Sequence, residues 1–195
     1  MISTMYAEHN PVIANGMREE TAIFMRGVIF TICSIRQPFT SVPDQLEAVD
    51  RGDLSPLFGH KLDAHAYLID NADAMRQSIL AAANNGERLE ILLRVPGIGL
   101  VKGAFVLQLM GYDVACLDSR NIKREGRNPE AFRSRKARTR GWWQKKIAAY
   151  LKETEGHARF YWDRWCEDVA HTYKLTAEEV SAMHLAIVPD TYVPF

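Results

Sequence analysis

Apolar positions along the chain recur at helical rather than alternating spacing. A mostly apolar stretch over residues 19–35 is closed by Pro38. A shorter segment, 43–49, follows the start signals Ser41 and Asp44 and stops near Gly52. Residues 71–83, rich in Ala, Met, Leu and Ile, run into Asn84-Asn85-Gly86, a helix-ending signal. Two further helices, 87–94 and 100–110, flank Val95-Pro96-Gly97-Ile98-Gly99. After Gly111 a short extended piece, 114–117, leads to Asp118, which opens another helix. Residues 141–155, 157–173 and 176–187 complete the set, with Thr176 and Glu179 spaced as a capping box. Strand signals are sparse, with no regular alternation and no Asn-Gly hairpin, so the expected fold is all-α, a single helical domain over 1–195.

Composition changes this picture little. A chain of 195 residues with 47% apolar and 25% charged residues is of ordinary globular type. The longest apolar run, 28–35, falls far short of the roughly 18 residues of a membrane span. Residues 1–10 lack the basic-then-apolar pattern of a secretory signal. Three scattered cysteines, Cys33, Cys116 and Cys166, suggest a reduced, cytoplasmic protein and form neither a disulfide framework nor a metal-ligand pattern. The six histidines show no ligand spacing either, and His60 and His65 read as surface or capping residues. No metal, cofactor or membrane is expected, and the expected assembly is a monomer.

Charge matters once it is located. The net charge is zero, yet residues 119–146 hold eleven basic residues against two acids, Glu125 and Glu130. That segment is +9 and the remainder −9, a polarised molecule suited to a polyanion. Taken alone, a charge run is equally a solvated loop.

The chemistry-bearing stretch is Leu92-Leu93-Arg94-Val95-Pro96-Gly97-Ile98-Gly99-Leu100-Val101-Lys102. A dinucleotide fingerprint would need a preceding strand and a third glycine where Lys102 stands. Pro-Gly-Ile-Gly between two helices suits a tight hairpin instead. Its glycines allow φ > 0 and bare backbone amides at the second helix N-terminus, where a phosphate binds without base readout. Ile98, Leu92, Leu93 and Val95 would pin the helices together.

These residues resemble the helix-hairpin-helix element of DNA-binding proteins. With Asp118 in Val114-Ala115-Cys116-Leu117-Asp118-Ser119-Arg120, they resemble the DNA glycosylase superfamily that carries a catalytic aspartate after such a hairpin. The resemblance covers residues 71–124. It implies a helical glycosylase-like fold with the hairpin at 87–110, the basic segment at 119–146 and C-terminal helices at 141–187. Asp118 would then stabilise the sugar cation or activate water once a base has left the stack. Gly97, Ile98, Gly99, Lys102, Arg120, Lys123, Arg135, Arg138 and Arg140 would contact double-stranded DNA. Bifunctional members carry a Schiff-base lysine where Val101 stands, and one residue along a helix turns a side chain by about 100°, so Lys102 is expected on a phosphate. Iron–sulfur members cluster four cysteines near the C-terminus, a pattern this chain lacks. The implied enzyme is monofunctional and cofactor-free.

Arg36 and Gln37, at the end of the first long helix, and Trp142 and Trp143, beside the basic run, are candidates for a wedge or base pocket. Phe160, Tyr161, Trp162, Trp165 and Val169 have helical spacing and read as core. Two other readings stay open. One is a transferase that modifies a flipped-out pyrimidine of viral DNA. The other is a non-catalytic DNA-binding module in which Asp118 is a plain N-cap.

Overall fold

The computed structural model describes residues 5–128, 132 and 139–192. The described residues form ten α-helices and two short 3₁₀ segments joined by loops, with no strand among them. The helices are α1 (Met5–Glu19), α2 (Thr21–Cys33), α3 (Val42–Asp50), α4 (His60–Ala81) and α5 (Asn85–Leu92). They continue with α6 (Leu100–Leu109), α7 (Ser119–Arg124), α8 (Arg140–Thr154), α9 (Ala158–Tyr173) and α10 (Ala177–Ala182). One 3₁₀ segment, Phe39–Ser41, leads into α3, and the other, Met183–Ile187, extends α10.

α2 is the central element. Apart from Arg26 its side chains are almost all apolar, so most of its circumference has to be covered. α1, α3, α4 and α6 pack around it, burying Phe24, Val28, Phe30 and Ile32. α1 approaches so closely that a Cβ at Gly27 would fall 2.6 Å from the Met17 sulfur. The apolar stretch read from residue 19 is thus two helices broken at Glu20, whose backbone is extended. α1 has no counterpart in the sequence reading, since Pro11 lies inside it and polar residues blur its period. α4 starts at His60, well before residue 71; the early part of its apolar face is interrupted by the buried Lys61, and Arg76 is buried further along it. Lys61 Nζ donates to the Cys33 carbonyl at 3.2 Å, and Arg76 Nε reaches Thr21 Oγ1 at 3.1 Å.

α5 and α6 form the expected hairpin. Asn84 caps α5 by accepting the Glu87 amide at 3.0 Å. The turn closes with Ile98 N–H on the Val95 carbonyl at 3.1 Å. Of the two hairpin glycines only Gly97 is left-handed, at φ +79°, while Gly99 is extended at φ −109°. A side chain at 97 would also meet His60 Cβ at 3.3 Å. Leu92, Val95 and Ile98 are buried as the pinning contacts and Leu93 is half-buried. A Cβ at Gly103 would lie 3.3 Å from Leu89, which sets the helix separation.

The extended piece 114–117 makes one isolated antiparallel bridge, Val114 to Glu155. α9 and α10 close the molecule by packing on each other and on α1. The capping box of Thr176 and Glu179 is present, but the helix it starts tightens to 3₁₀ geometry at Met183. No described helix is long and apolar enough to cross a membrane.

Candidate active site

Asp118 sits where the extended piece enters α7, and its carboxylate is held at both oxygens. Oδ1 accepts the Arg120 and Asn121 amides at 2.9 and 3.1 Å, the geometry of an N-cap. Oδ2 accepts Trp165 Nε1–H from α9 at 2.6 Å. The backbone behind it is fixed by buried groups. Tyr150 Oη donates to the Ala115 carbonyl at 2.9 Å and accepts the Leu117 amide at 3.0 Å. Asn121 Nδ2 donates to the Cys116 carbonyl at 3.1 Å, and Gln108 Oε1 accepts the Cys116 amide at 3.3 Å. Burial raises the Tyr150 phenol well above its ordinary pKa, so it remains a donor.

The carboxylate faces a cavity of about 400 Å³, within the range of small-molecule sites. Phe39, Phe105, Tyr161, Trp162, Trp165, Tyr173 and His184 supply aromatic walls. Ser34, Arg36, Gln37, Lys102 and Arg120 supply polar ones. Three cations against one carboxylate leave this wall net positive. Arg36 is non-glycine backbone at φ +57°, a strained conformation at the end of α2. Arg120 Nη1 donates to Thr172 Oγ1 at 2.8 Å. Cys116 also lines the cavity, but burial pushes its thiol up to about 12 and keeps it protonated.

Lys102 differs from the expectation in direction only. One residue beyond Val101 in the helix, it nevertheless lines the same cavity as Val101. Its Nζ donates to Ser34 Oγ at 2.8 Å and lies 5.5 Å from the Phe105 ring centre. The attraction is the C-terminal end of α2, where Ser34 Oγ in turn donates to the Thr31 carbonyl at 2.6 Å and cations are favoured.

Arg36 and Gln37 do line the cavity, as expected of pocket residues. Trp142 and Trp143 do not. They form an edge-to-face pair, centroids 5.0 Å apart, at the start of α8, which packs on α5. Tyr161, Trp162 and Val169 are buried in the core as expected, with Trp165 packed against it, and the same run also supplies part of the cavity wall. Tyr161, Trp162, Trp165 and Val169 wall the cavity, and Phe160 is exposed. Residues facing a cavity and residues facing a core share one helical spacing, so the pattern alone does not separate them. His184 had no signal at all.

The basic segment is only partly free. Arg124 pairs with Asp168, and Arg127 with Glu125 and Glu153. Exposed Arg140 lies 3.4 Å from Glu90, and Lys123 is exposed. Arg135 and Arg138 lie outside the described residues, as do Arg133 and Lys136. At the hairpin tip Gly97 is exposed. The α6 N-cap, Gly99, offers no side-chain acceptor, unlike Asn84, Asp118, Thr139 and Thr176 at their helices. Among the described residues no group of three His, Cys, Asp or Glu side chains is placed to hold a metal ion. No family model, curated protein or solved structure matches this chain.

Proposed function

We propose that this protein is a monofunctional DNA N-glycosylase that takes an extruded base into the aromatic cavity and cleaves its bond to deoxyribose. The observation that carries this reading is the Asp118 carboxylate, oriented by Trp165 at 2.6 Å and exposed to an aromatic-walled cavity of about 400 Å³ next to the α5–α6 hairpin. As the C1′–N bond breaks, its electron pair leaves with the base and positive charge develops on the sugar. A fixed carboxylate stabilises that charge in the transition state, and can take the proton of the water that adds to C1′. Flat aromatic walls suit a base removed from the stack. Arg36, Lys102 and Arg120 supply positive charge for flanking phosphates, and the Gly97 turn with the α6 N-terminus supplies a further backbone contact.

The test is a panel of duplexes carrying damaged or modified bases, incubated with the full chain and analysed by mass spectrometry. Release of free base is the expected result. A mass change on intact DNA would replace the proposal with base modification, and binding without either would reduce the protein to a DNA-binding module.

A further inference from the structure

Two lysines meet the C-terminal end of α2, and helix capping explains one of them. The last four carbonyls of α2 are all paired without Lys102. Phe30 accepts the Ser34 amide at 3.1 Å and Ile32 the Ile35 amide at 3.1 Å. Thr31 accepts Ser34 Oγ at 2.6 Å, and Cys33 accepts Lys61 Nζ at 3.2 Å. Burial lowers the Lys61 pKa, and the charge of Lys102 adds to that lowering. A second cation at this end repels the first and caps nothing, so its place needs another reason.

The surroundings of Lys102 supply one. The residue is half-buried and lines the cavity. Its Nζ is bracketed by other wall residues, with Ser34 Oγ at 2.8 Å and the Phe105 ring centre at 5.5 Å. The Cys116 thiol, on the same wall, feels the charges of both Lys102 and Asp118. An ammonium has three N–H donors and accepts nothing. Ser34 Oγ takes one, and the described residues give Nζ no second acceptor. The aromatic walls offer faces for a flat ring, so the missing acceptor is one that a ligand brings at its ring edge. An exocyclic oxo oxygen fits that place, and the bond strengthens as negative charge grows on it.

We infer that Lys102 contacts the base itself: its ammonium donates to an oxo oxygen of the base in the cavity and holds the anionic form of that base more tightly than the neutral one. The inference rests on the proposed role of the cavity as a base pocket. In the proposed reaction the electron pair of the C1′–N bond departs with the base and spreads onto its oxo oxygens. Lys102 meets that negative charge while Asp118 meets the positive sugar, so both charges of the transition state find an opposite partner in one cavity. The water that adds to C1′ gives a proton to Asp118, the departing base takes one from solvent, and the ammonium keeps its own. Its charge still adds, with Arg36 and Arg120, to the field that draws the flanking phosphates, while its N–H groups serve the base.

The probes are two pairs of free bases, uracil with 6-azauracil and hypoxanthine with 8-azahypoxanthine. Replacing one ring C–H by nitrogen keeps the size of the base and makes it acidic enough to be an anion at mildly alkaline pH, where the parent is neutral. Each base is titrated into the full chain by NMR. At least one aza base is expected to bind about tenfold more tightly than its parent. Lys102→Met, which keeps the stem and removes the charge, should bring that pair together, and Lys102→Arg should keep part of the preference. If Lys102→Met does not fold, the Lys102 side-chain resonances of the wild type decide in its place, and they should move when the anion is added. Equal binding of aza and parent bases, no binding of any of the four, Lys102 resonances that stay still, or a preference unchanged in a folded Lys102→Met overturns the inference. A preference that depends on Lys102, without base release from any duplex, would sink the glycosylase reading and leave this one standing. Base release from duplexes without any such preference would do the reverse.

Discussion

Trp165 and Asp118, 47 residues apart in sequence, are joined by an indole N–H donated to Oδ2 at 2.6 Å. A carboxylate bound only by its own cap amides could rotate about its side-chain bonds. With the indole on the second oxygen its plane is fixed against α9. Trp165→Phe keeps most of the aromatic wall and removes this single donor. The expected result is a fall of about ten- to a hundredfold in kcat for base release with KM nearly unchanged, since misplaced groups cost rate more than binding. An equal fall from a loss of binding would make Trp165 a pocket wall only.

Asp118→Asn keeps the shape of the side chain and an oxygen for capping. Base release should drop about a hundredfold or more, with duplex affinity and melting temperature close to wild type. Asp118→Ala should in addition lose about 1 kcal/mol of stability through the missing cap. Turnover comparable to wild type in Asp118→Asn would leave the residue with its capping role alone.

Duplex affinity should depend on salt with a log–log slope of about −4 to −5, for four to six phosphates neutralised. Replacing Arg133, Arg135, Arg138 and Arg140 together should flatten that slope. Replacing Arg124 and Arg127 should change it much less, because both are already paired with carboxylates of the same molecule. A slope indifferent to the first set would turn the run into a solvated loop.

His184 sets a pH dependence of stability. Its folded pKa is about 3, against about 6.5 for an exposed imidazole. Between those values the unfolded chain takes up a proton that the folded one refuses. The contribution is therefore fully present above about pH 6.5 and is lost as pH falls, by at most about 1.4 kcal/mol per unit. Denaturant unfolding of wild type and His184→Phe between pH 5 and 6.5 should show the slope only in the former.

Strand cleavage is the last test of mechanism. Lys102 shares the cavity with Asp118, so its amine is nearer the chemistry than its register suggested, yet it is tied to Ser34 Oγ at 2.8 Å. Borohydride is expected to trap no covalent protein–DNA species, and nicks should appear only after alkali. Trapping that vanishes in Lys102→Ala would make the lysine the nucleophile and the enzyme a lyase.

The hairpin and Asp118 were legible because they rest on local rules: a left-handed glycine, buried flanking aliphatics, a cap before a helix. α1 and the first half of α4 were not, since Pro11 and Lys61 break the pattern, and Lys61 is buried against the Cys33 carbonyl, distant in sequence. The site was half legible. Asp118, Arg36 and Gln37 lie on the cavity, whereas Trp165, His184 and the true direction of Lys102 depend on where α9 and the end of α2 dock. Tertiary contact decided those, and no periodicity records it.

The docking of α9 and α10 against α1 has a kinetic side. A chain made from its N-terminus has its hairpin and Asp118 long before Trp165 and His184 exist. The contacts that dock α9 and α10, such as His9 with Ser181 at 2.8 Å and Tyr6 with Trp162 at 5.5 Å between ring centres, join the two ends of the molecule. Contacts of such high sequence separation form late. A nascent chain can therefore present the α5–α6 hairpin with an Asp118 carboxylate that Trp165 has not yet oriented, and under the proposed function competence for cleavage would arrive only when its last helices lock onto its first.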